Sequence, residues 1–379
     1  TRAQVDNLIG TLISRIEALE TKLAHVTATG DDLIIEGVNV RIVNGQGSTS
    51  TQNGLGNLIV GYNEERSSDN QRDGSHYIIT GSENNYSSYG GLVAGFHNSV
   101  SGPYGGVTGG YSNYAGGYSS CVTGGVANRA IGDYSTVTGG FWNGADGNFS
   151  SVSGGIENDA DGSYSSVSGG KDNDASGSYC SISGGRSNEA GGAYSSVSGG
   201  RNNKANGKYS YIGGGGGENM QDGNIAVAHY SAILGGLNNL TGDGTRNFDS
   251  AVLREVFTES AIPDRNIGTQ STISGGIINR ANGHYSSVTG GELNNASGDS
   301  SSVTGGILSN ANGDFSSVSG GSSNNANGNF SSVTGGKGNE ANGFHSSVTG
   351  GENNVASGNR ASVSGGINNK ANGDYSYIG

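Results

Sequence analysis

The stretch YSSVSGGKDNDASGS, residues 164–178, is one complete unit of a 15-residue repeat that occupies most of this chain. The consensus reads S-S-(V/I)-(S/T)-G-G-x-x-N-x-A-x-G-x-(Y/F), and every step within two series of units is 15 residues. Such a period indicates a solenoid, in which each repeat forms one coil that stacks on the next. The second glycine of each Gly-Gly pair marks the series: Gly110, Gly125, Gly140, Gly155, Gly170, Gly185, Gly200 and Gly215, then Gly276, Gly291, Gly306, Gly321, Gly336, Gly351 and Gly366.

Each position of the repeat predicts a place in the coil. Val or Ile alternates with Ser and Thr, which predicts a short strand with the branched side chain inside. An alanine in every unit predicts a second, cramped interior position, and the glycines predict corners where backbones approach closely. About eighteen coils stacked at ~4.8 Å predict a rod on the order of 85–90 Å.

The asparagine of each repeat predicts a turn with a left-handed residue. Stacking of equal coils should also align these side chains into an amide ladder with a structural role. The row consists of Asn113, Asn128, Asn143, Asn158, Asn173, Asn188 and Asn203.

Composition supports a repetitive fold and argues against an ordinary globular one. Glycine supplies 74 of 379 residues and the apolar fraction is 31%. So little apolar mass cannot offset chain entropy through a three-dimensional core, whereas stacked backbone ladders can. The net charge of −13, with no basic tract, excludes nucleic acid as a partner, and no apolar run is long enough to span a membrane. Cys121 and Cys180 lie about four coils apart, beyond disulfide reach, and are expected to be unpaired.

The repeat resembles the head repeat of trimeric autotransporter adhesins of the YadA type, which reads roughly S-V-A-I-G-x-x-S-x-A-x-G-x-x-S. The Val, second Gly, Ala and third Gly of S-V-S-G-G-x-x-N-x-A-x-G-x-Y-S coincide with it. In this chain Asn replaces the usual Ser, Gly replaces the usual Ile, and the repeat is one residue longer. The resemblance implies a left-handed parallel β-roll, three copies of which pack side by side.

The N-terminal segment predicts an α-helical coiled coil that precedes the solenoid. Its apolar residues are spaced 4, 3, 4, 3, 4, 3, which is a heptad seam. A single amphipathic helix docked on a globular body is the alternative. The sequence Arg15-Ile16-Glu17-Ala18-Leu19-Glu20 resembles a short motif of trimeric coiled coils, in which the arginine pairs with a glutamate of the next helix. The expected trimerisation residues are Val5, Ile9, Leu12, Arg15, Ile16, Leu19, Glu20, Leu23 and Val26.

The chain divides into five segments on this interpretation. They are a coiled-coil stalk (1–27), a neck with short strands (28–57), a first solenoid block (58–236), an insertion (237–272) and a second block (273–379). Within the insertion, FDSAVLREVFTESAI (248–262) predicts a short helix, capped by Asp249 or Ser250 and ended by Pro263. Such an insertion is a binding loop thrown out from one corner, a passive decoration, or a lid over a groove of the trimer.

An aromatic row lies three residues before the Val/Ile position. If the strand continues there, the odd spacing directs these rings away from the interior, which suits either an interface between copies or stacking against sugars. The row consists of Tyr104, Tyr134, Phe149, Tyr164, Tyr179, Tyr194, Tyr209, Tyr285, Phe315, Phe330 and Tyr375. It is interrupted at Gln270, Ser300, His345 and Arg360.

The sequence indicates no enzyme, cofactor or metal site. The six histidines have no ligand-like spacing, no serine has a nucleophile context, and the acidic residues of the insertion are typical of an exposed loop. A row of Ser and Thr resembles an ice-binding array, but its mixed composition argues against that function.

We therefore expect an extracellular or cell-surface trimeric fibre, adhesin-like, that attaches to a surface, glycan or matrix and whose main partner is its own homotrimer. One alternative is an extracellular filament built end to end, since the last repeat stops in mid-coil at Gly379 and leaves an open ladder edge. Another is a phage-type tail fibre or receptor-binding protein, because the coiled coil precedes the repeats and no anchor follows them.

Overall fold

The computed structural model describes residues 1–249, 254–259 and 264–379. An N-terminal helix, α1 (Arg2–Leu23), is followed by an antiparallel hairpin of β1 (Val26–Thr29) and β2 (Asp32–Ile35). The rest is mainly a parallel β-solenoid, which confirms the expected fold class. Its coils have two sheets, named here the valine sheet and the alanine sheet after their buried residues.

The valine sheet holds one strand from every coil, and each strand pairs in parallel with the next one. The first strand, Leu58–Val60, and the last, Tyr377–Ile378, each pair on one side, so the sheet is an open stack. Its strands are Leu58–Val60, Ile78–Ser82, Leu92–Phe96, Gly106–Val107, Cys121–Val122, Thr136–Val137, Ser151–Val152, Ser166–Val167, Ser181–Ile182, Ser196–Val197, Tyr211–Ile212, Ala232–Ile233, Thr272–Ile273, Ser287–Val288, Ser302–Val303, Ser317–Val318, Ser332–Val333, Ser347–Val348, Ser362–Val363 and Tyr377–Ile378.

The alanine sheet lies opposite and consists of two runs of strands joined by single bridges from Gly144 through Asp159, Asp174 and Glu189 to Lys204. The strands of the first run are Asn85–Tyr86, Ser99–Val100, Tyr114–Ala115, Arg129–Ala130 and Gly144–Ala145. Those of the second are Lys204–Ala205, Ile225–Ala226, Leu240–Thr241, Arg280–Ala281, Asn295–Ala296, Asn310–Ala311, Asn325–Ala326, Glu340–Ala341, Val355–Ala356 and Lys370–Ala371.

The core is one thin column of small side chains between these sheets. Val152 and Ala160 are 1% and 0% exposed, and the equivalent residues of the other coils are buried in the same way. A buried serine also lines the column in most coils, and at positions such as Ser150 and Ser165 its hydroxyl finds no hydrogen-bond partner within the chain. Backbone pairing between coils, rather than apolar volume, therefore holds the rod together.

The asparagine row forms a buried amide ladder. Asn158 donates from Nδ2 to the carbonyls of Gly154 and Gly170, both at 3.0 Å, and its Oδ1 accepts the backbone N–H of Asn173 at 3.2 Å. The sequence predicted that the asparagine would be the left-handed residue of this turn. Instead, the residue before it has the positive φ, as at Glu157 with φ of 55°. The asparagine itself does not have a positive φ, and its amide points into the coil.

Two glycines of each repeat are required by different contacts. A Cβ on Gly162 would lie 2.0 Å from the carbonyl oxygen of Gly177 in the next coil, so the close approach of coils excludes any side chain. Gly155 has φ of 96°, and a Cβ there would lie 2.3 Å from the Gly170 oxygen. The first glycine of the pair is different: in several coils, as at Gly139, a Cβ would meet nothing within 4 Å.

Within the insertion, residues 244–249 and 254–259 are antiparallel strands, which corrects the helix expected in 248–262, whereas Leu240–Thr241 and Thr272 belong to the solenoid sheets. Strands Gly244–Asp249 and Arg254–Glu259 pair in antiparallel register. Residues 250–253 and 260–263, which include the expected cap Ser250 and Pro263, lie outside the described residues. A segment this short, with few apolar residues, can satisfy either the helical or the strand period, and antiparallel pairing supplies its backbone hydrogen bonds without a helix cap.

Candidate functional surfaces

The apolar seam of α1 is exposed along its whole length. Ile9, Ile16 and Leu23 are 50%, 46% and 56% exposed, and the other seam residues of the helix, Val5, Leu12 and Leu19, are exposed to a similar degree. Val26 does not extend the seam as expected, because α1 ends at Leu23 and Val26 begins β1. Arg15 and Glu20 are exposed beside the seam.

Exposed apolar residues continue from the helix into the neck. Both strands of the β1–β2 hairpin are largely exposed, as are the side chains that follow it. The apolar residues of this region are Leu33, Ile34, Ile35, Val38, Val40, Ile42, Val43, Leu55, Leu58, Ile59 and Val60. A contiguous apolar surface of this kind usually marks a contact with another molecule.

The aromatic row lies on one corner of the solenoid and its rings are stacked. Ring centroids are 4.8 Å apart for Phe149 and Tyr164 and 4.7 Å apart for Tyr164 and Tyr179, with interplanar angles of 3° and 2°. The unbroken stack runs from Tyr134 to Tyr230. Tyr230 was not in the predicted row because it follows the irregular 21-residue step of the repeat. A shorter stack, Phe315, Phe330 and His345, lies in the second block.

The rings point outward for a reason other than the expected one. Tyr164 has φ of 60°, and the equivalent residues of the row share this left-handed conformation, so a turn rather than a continued strand directs them to solvent. Tyr164 is 48% exposed. A bulky residue in this conformation costs about 1–2 kcal/mol. Stacking of the rings, worth about 0.5–1.5 kcal/mol per pair, offsets much of that cost.

The stack geometry limits what the row can bind. Within it, each ring face is covered by the next ring, so edges and hydroxyl groups are what reach solvent. A sugar stacks on a ring face. Within the stacked part of the row, ring faces are open only at the two ends, and this part presents an edge-on, weakly polar strip that suits packing against another side-chain layer.

The outer face of the alanine sheet carries many of the charged residues of the solenoid, and others lie at its corners. Arg129 forms salt bridges with Asp146 at 2.8 Å and Asp159 at 3.6 Å. Burial, together with Asp161 and other neighbouring carboxylates, raises the pKa of Asp159 to about 6, although Arg129 opposes the shift. The pKa values of Asp161 and Asp174 are raised as well, mainly by burial.

The insertion covers part of this same face. Ile225, Val227 and Leu240 stand at outward positions of the alanine sheet, yet they are buried. Strand Arg254–Glu259 packs beside the short 3-10 helix Met220–Asp222, which belongs to the opposite corner of the coil. The hairpin therefore folds back across the face rather than projecting from a corner as a free loop.

The described residues show no cluster of three or more His, Cys, Asp or Glu side chains that could hold a metal ion. Both cysteines are unpaired, as expected. Burial raises the pKa of the Cys180 thiol to about 12, so it is a packing residue in the serine position of the core. Of the helices in the described residues, none has both the length and the hydropathy to cross a bilayer.

The sequence was compared with known proteins. No protein-family model matches the chain, and no curated protein is significantly similar to it.

Proposed function

We propose that this chain is an extracellular, adhesin-like fibre protein that acts as a homotrimer and presents its β-solenoid for attachment to a surface, glycan or matrix. The proposed role is one of support and binding, not catalysis. The observation that carries it is the exposed heptad seam of α1, which continues into the apolar neck. A single chain leaves this surface in water, whereas parallel copies would bury it.

Three copies fit this surface better than two. Leu8 and Ile13, at heptad positions g and e, are 76% and 49% exposed and widen the apolar stripe on both sides of the seam. A dimer covers mainly the a and d positions, so a wider stripe favours a larger bundle. Arg15 and Glu20 lie where they can contact a neighbouring helix, as in the short motif of trimeric coiled coils, which also supports three copies.

Light scattering on the purified full-length chain tests the assembly. We expect three times the 37.9 kDa of one chain, independent of protein concentration. Ile16→Asp places a charge in the seam and should give single chains, while Ser14→Asp, on the outer side of the helix, should leave the mass unchanged. A single-chain mass for the unaltered protein contradicts the proposal. A mass that climbs with concentration, with continuous fibres in electron micrographs, favours the filament.

Binding to immobilised glycans and matrix proteins tests attachment. The trimer should bind through several weak contacts at once, so the Ile16→Asp single chain should bind at least about tenfold more weakly. Equal binding by both forms would contradict a role for the trimer in attachment. A trimer that binds none of these surfaces would leave a purely structural fibre as the better description.

A further inference from the structure

Two rows of outward side chains border the valine sheet on opposite corners. One is the aromatic row. The other is named here the mixed row and consists of the residues that follow the second glycine of each pair. Parallel bridges link its members from coil to coil. In the first block its members change from apolar to basic, and Phe141 and Ile156 are 44% and 43% exposed. The mixed row consists of Phe96, Tyr111, Val126, Phe141, Ile156, Lys171, Arg186, Arg201, Leu237, Ile277, Glu292, Ile307, Ser322, Lys337, Glu352 and Ile367.

The two rows match in chemistry at equal heights along the rod. A regular mixed-row residue comes seven residues after one member of the aromatic row and eight before the next, so it lies about midway in height between them. Ile156 lies between Phe149 and Tyr164, and Arg186 between Tyr179 and Tyr194. Apolar and cationic groups both pack favourably against aromatic rings.

Both acidic members of the mixed row lie next to an interruption of the aromatic row, while Ile277 and Ile307 border interruptions as well and Lys337 borders His345. Glu352 lies between His345 and Arg360, the two positions of the aromatic row that hold a basic side chain. Glu292 likewise lies next to Ser300, another interruption. Within one chain the valine strand separates the two corners. Glu352 pairs there with Lys337 of its own row at 3.5 Å, and Arg360 donates to the hydroxyl of Tyr375 in its own row, so neither of these contacts links the two rows.

The two faces of the solenoid differ in charge. From Gly106 onward, the outward positions of the valine sheet, on either side of each buried Val or Ile, carry no charged residue and are mostly Ser and Thr. The alanine sheet carries the charged side chains and is partly covered by the insertion. Charged groups remain in water unless they are paired, so the valine face is the one that can turn inward in an assembly.

We propose that the mixed row of one copy packs against the aromatic row of the next copy, closing a ring of three with the valine faces toward the common axis. This inference rests on the proposed trimer, because parallel helices in register keep equal coils at equal heights. The contact is heterologous, and such a contact closes when the rotation between copies is one third of a turn. The partner at each corner is a second copy of this chain.

Disulfide cross-linking in a chain with Cys121→Ser and Cys180→Ser tests this contact. Ile156→Cys combined with Tyr164→Cys should give covalent trimers on a non-reducing gel after mild oxidation, because the two rows of neighbouring copies meet. Either substitution alone should give none, since identical positions of the row lie apart in a heterologous ring. Asp159→Cys with Tyr164→Cys, with one site on the alanine face, is the matched control and should also give none.

The outcomes separate this inference from the proposed function. A trimeric mass with no cross-link in the paired variant, or with dimers from Ile156→Cys alone, overturns the contact and leaves the trimer intact. A single-chain mass overturns both. As a second measurement, Glu352→Arg should lower the trimer's melting temperature by several degrees, and adding Arg360→Glu should recover at least half of the loss. Failure of the second change to recover stability also overturns the pairing.

Discussion

The amide ladder makes the strongest quantitative prediction about stability. In the substitution Asn158→Ala, the carbonyl of Gly154 loses its hydrogen bond from Nδ2, and the N–H of Asn173 loses its bond to Oδ1. The Gly170 carbonyl keeps the N–H of Ile156 at 3.0 Å. One buried N–H and one partly buried carbonyl therefore lose these bonds, at about 1–3 kcal/mol for the first and about 1 kcal/mol for the second, so we expect a destabilisation of about 2–4 kcal/mol.

Ser165→Ala is the matched control in the same coil. Ser165 is as buried as Asn158, but its hydroxyl makes no hydrogen bond within the chain. The core already accepts Cys180 and Ala361 at equivalent positions. The Ser165→Ala substitution should therefore change the free energy of unfolding by no more than about 1 kcal/mol.

Urea unfolding followed by circular dichroism measures both variants. Hydrogen exchange adds a local readout, because the amide of Asn173 should lose protection in Asn158→Ala and keep it in Ser165→Ala. Equal destabilisation by the two substitutions, or less than about 1 kcal/mol for Asn158→Ala, would refute the view that the ladder rather than burial alone joins the coils.

Three further predictions concern the glycines, the cysteines and pH. Gly162→Ala should destabilise the chain by at least about 3 kcal/mol in urea unfolding, because the new methyl group would overlap the Gly177 carbonyl of the next coil; a change below 1 kcal/mol would show that the coils can move apart. Cys121, partly exposed, should react with a thiol reagent at least about tenfold faster than Cys180, whose buried thiol has a raised pKa; equal rates in the folded protein would contradict this burial. The pKa of Asp159 is raised to about 6 in the fold, so the folded state binds a proton more readily and this group should favour stability more as pH falls from 7 to 4. The urea midpoint of an Asp159→Asn variant should accordingly change less over that range, and an unchanged pH slope would count against the assignment.

The repeating part of the structure was predictable because one coil determines the next. Val152 and Ala160 are inside, and Asn158 belongs to a ladder, because each coil repeats the same alternation and the same backbone pairing. The outward direction of Tyr164 was also predictable, although its left-handed turn was not. A turn conformation depends on hydrogen bonds to the neighbouring coil, and these are visible only once the coils are stacked.

The irregular parts were decided by contacts that no local pattern encodes. Asn224 takes the next place in the amide ladder although it follows Asn203 by 21 residues rather than 15. Its backbone N–H donates to Asn203 Oδ1 at 3.0 Å, as in a regular coil. Strands Gly244–Asp249 and Arg254–Glu259 pair with each other, although the sequence of 248–262 resembled a helix.

The sequence by itself determined the period, the buried rows and the exposed heptad seam, because these depend on spacing along the chain. Only the tertiary structure decided that the aromatic rings cover one another's faces, that the insertion lies on the charged alanine face, and that the valine face lies between the aromatic row and the mixed row. Those features depend on which rows lie side by side in space. In a solenoid, that arrangement follows from the shape of the coil and not from the order of residues within it.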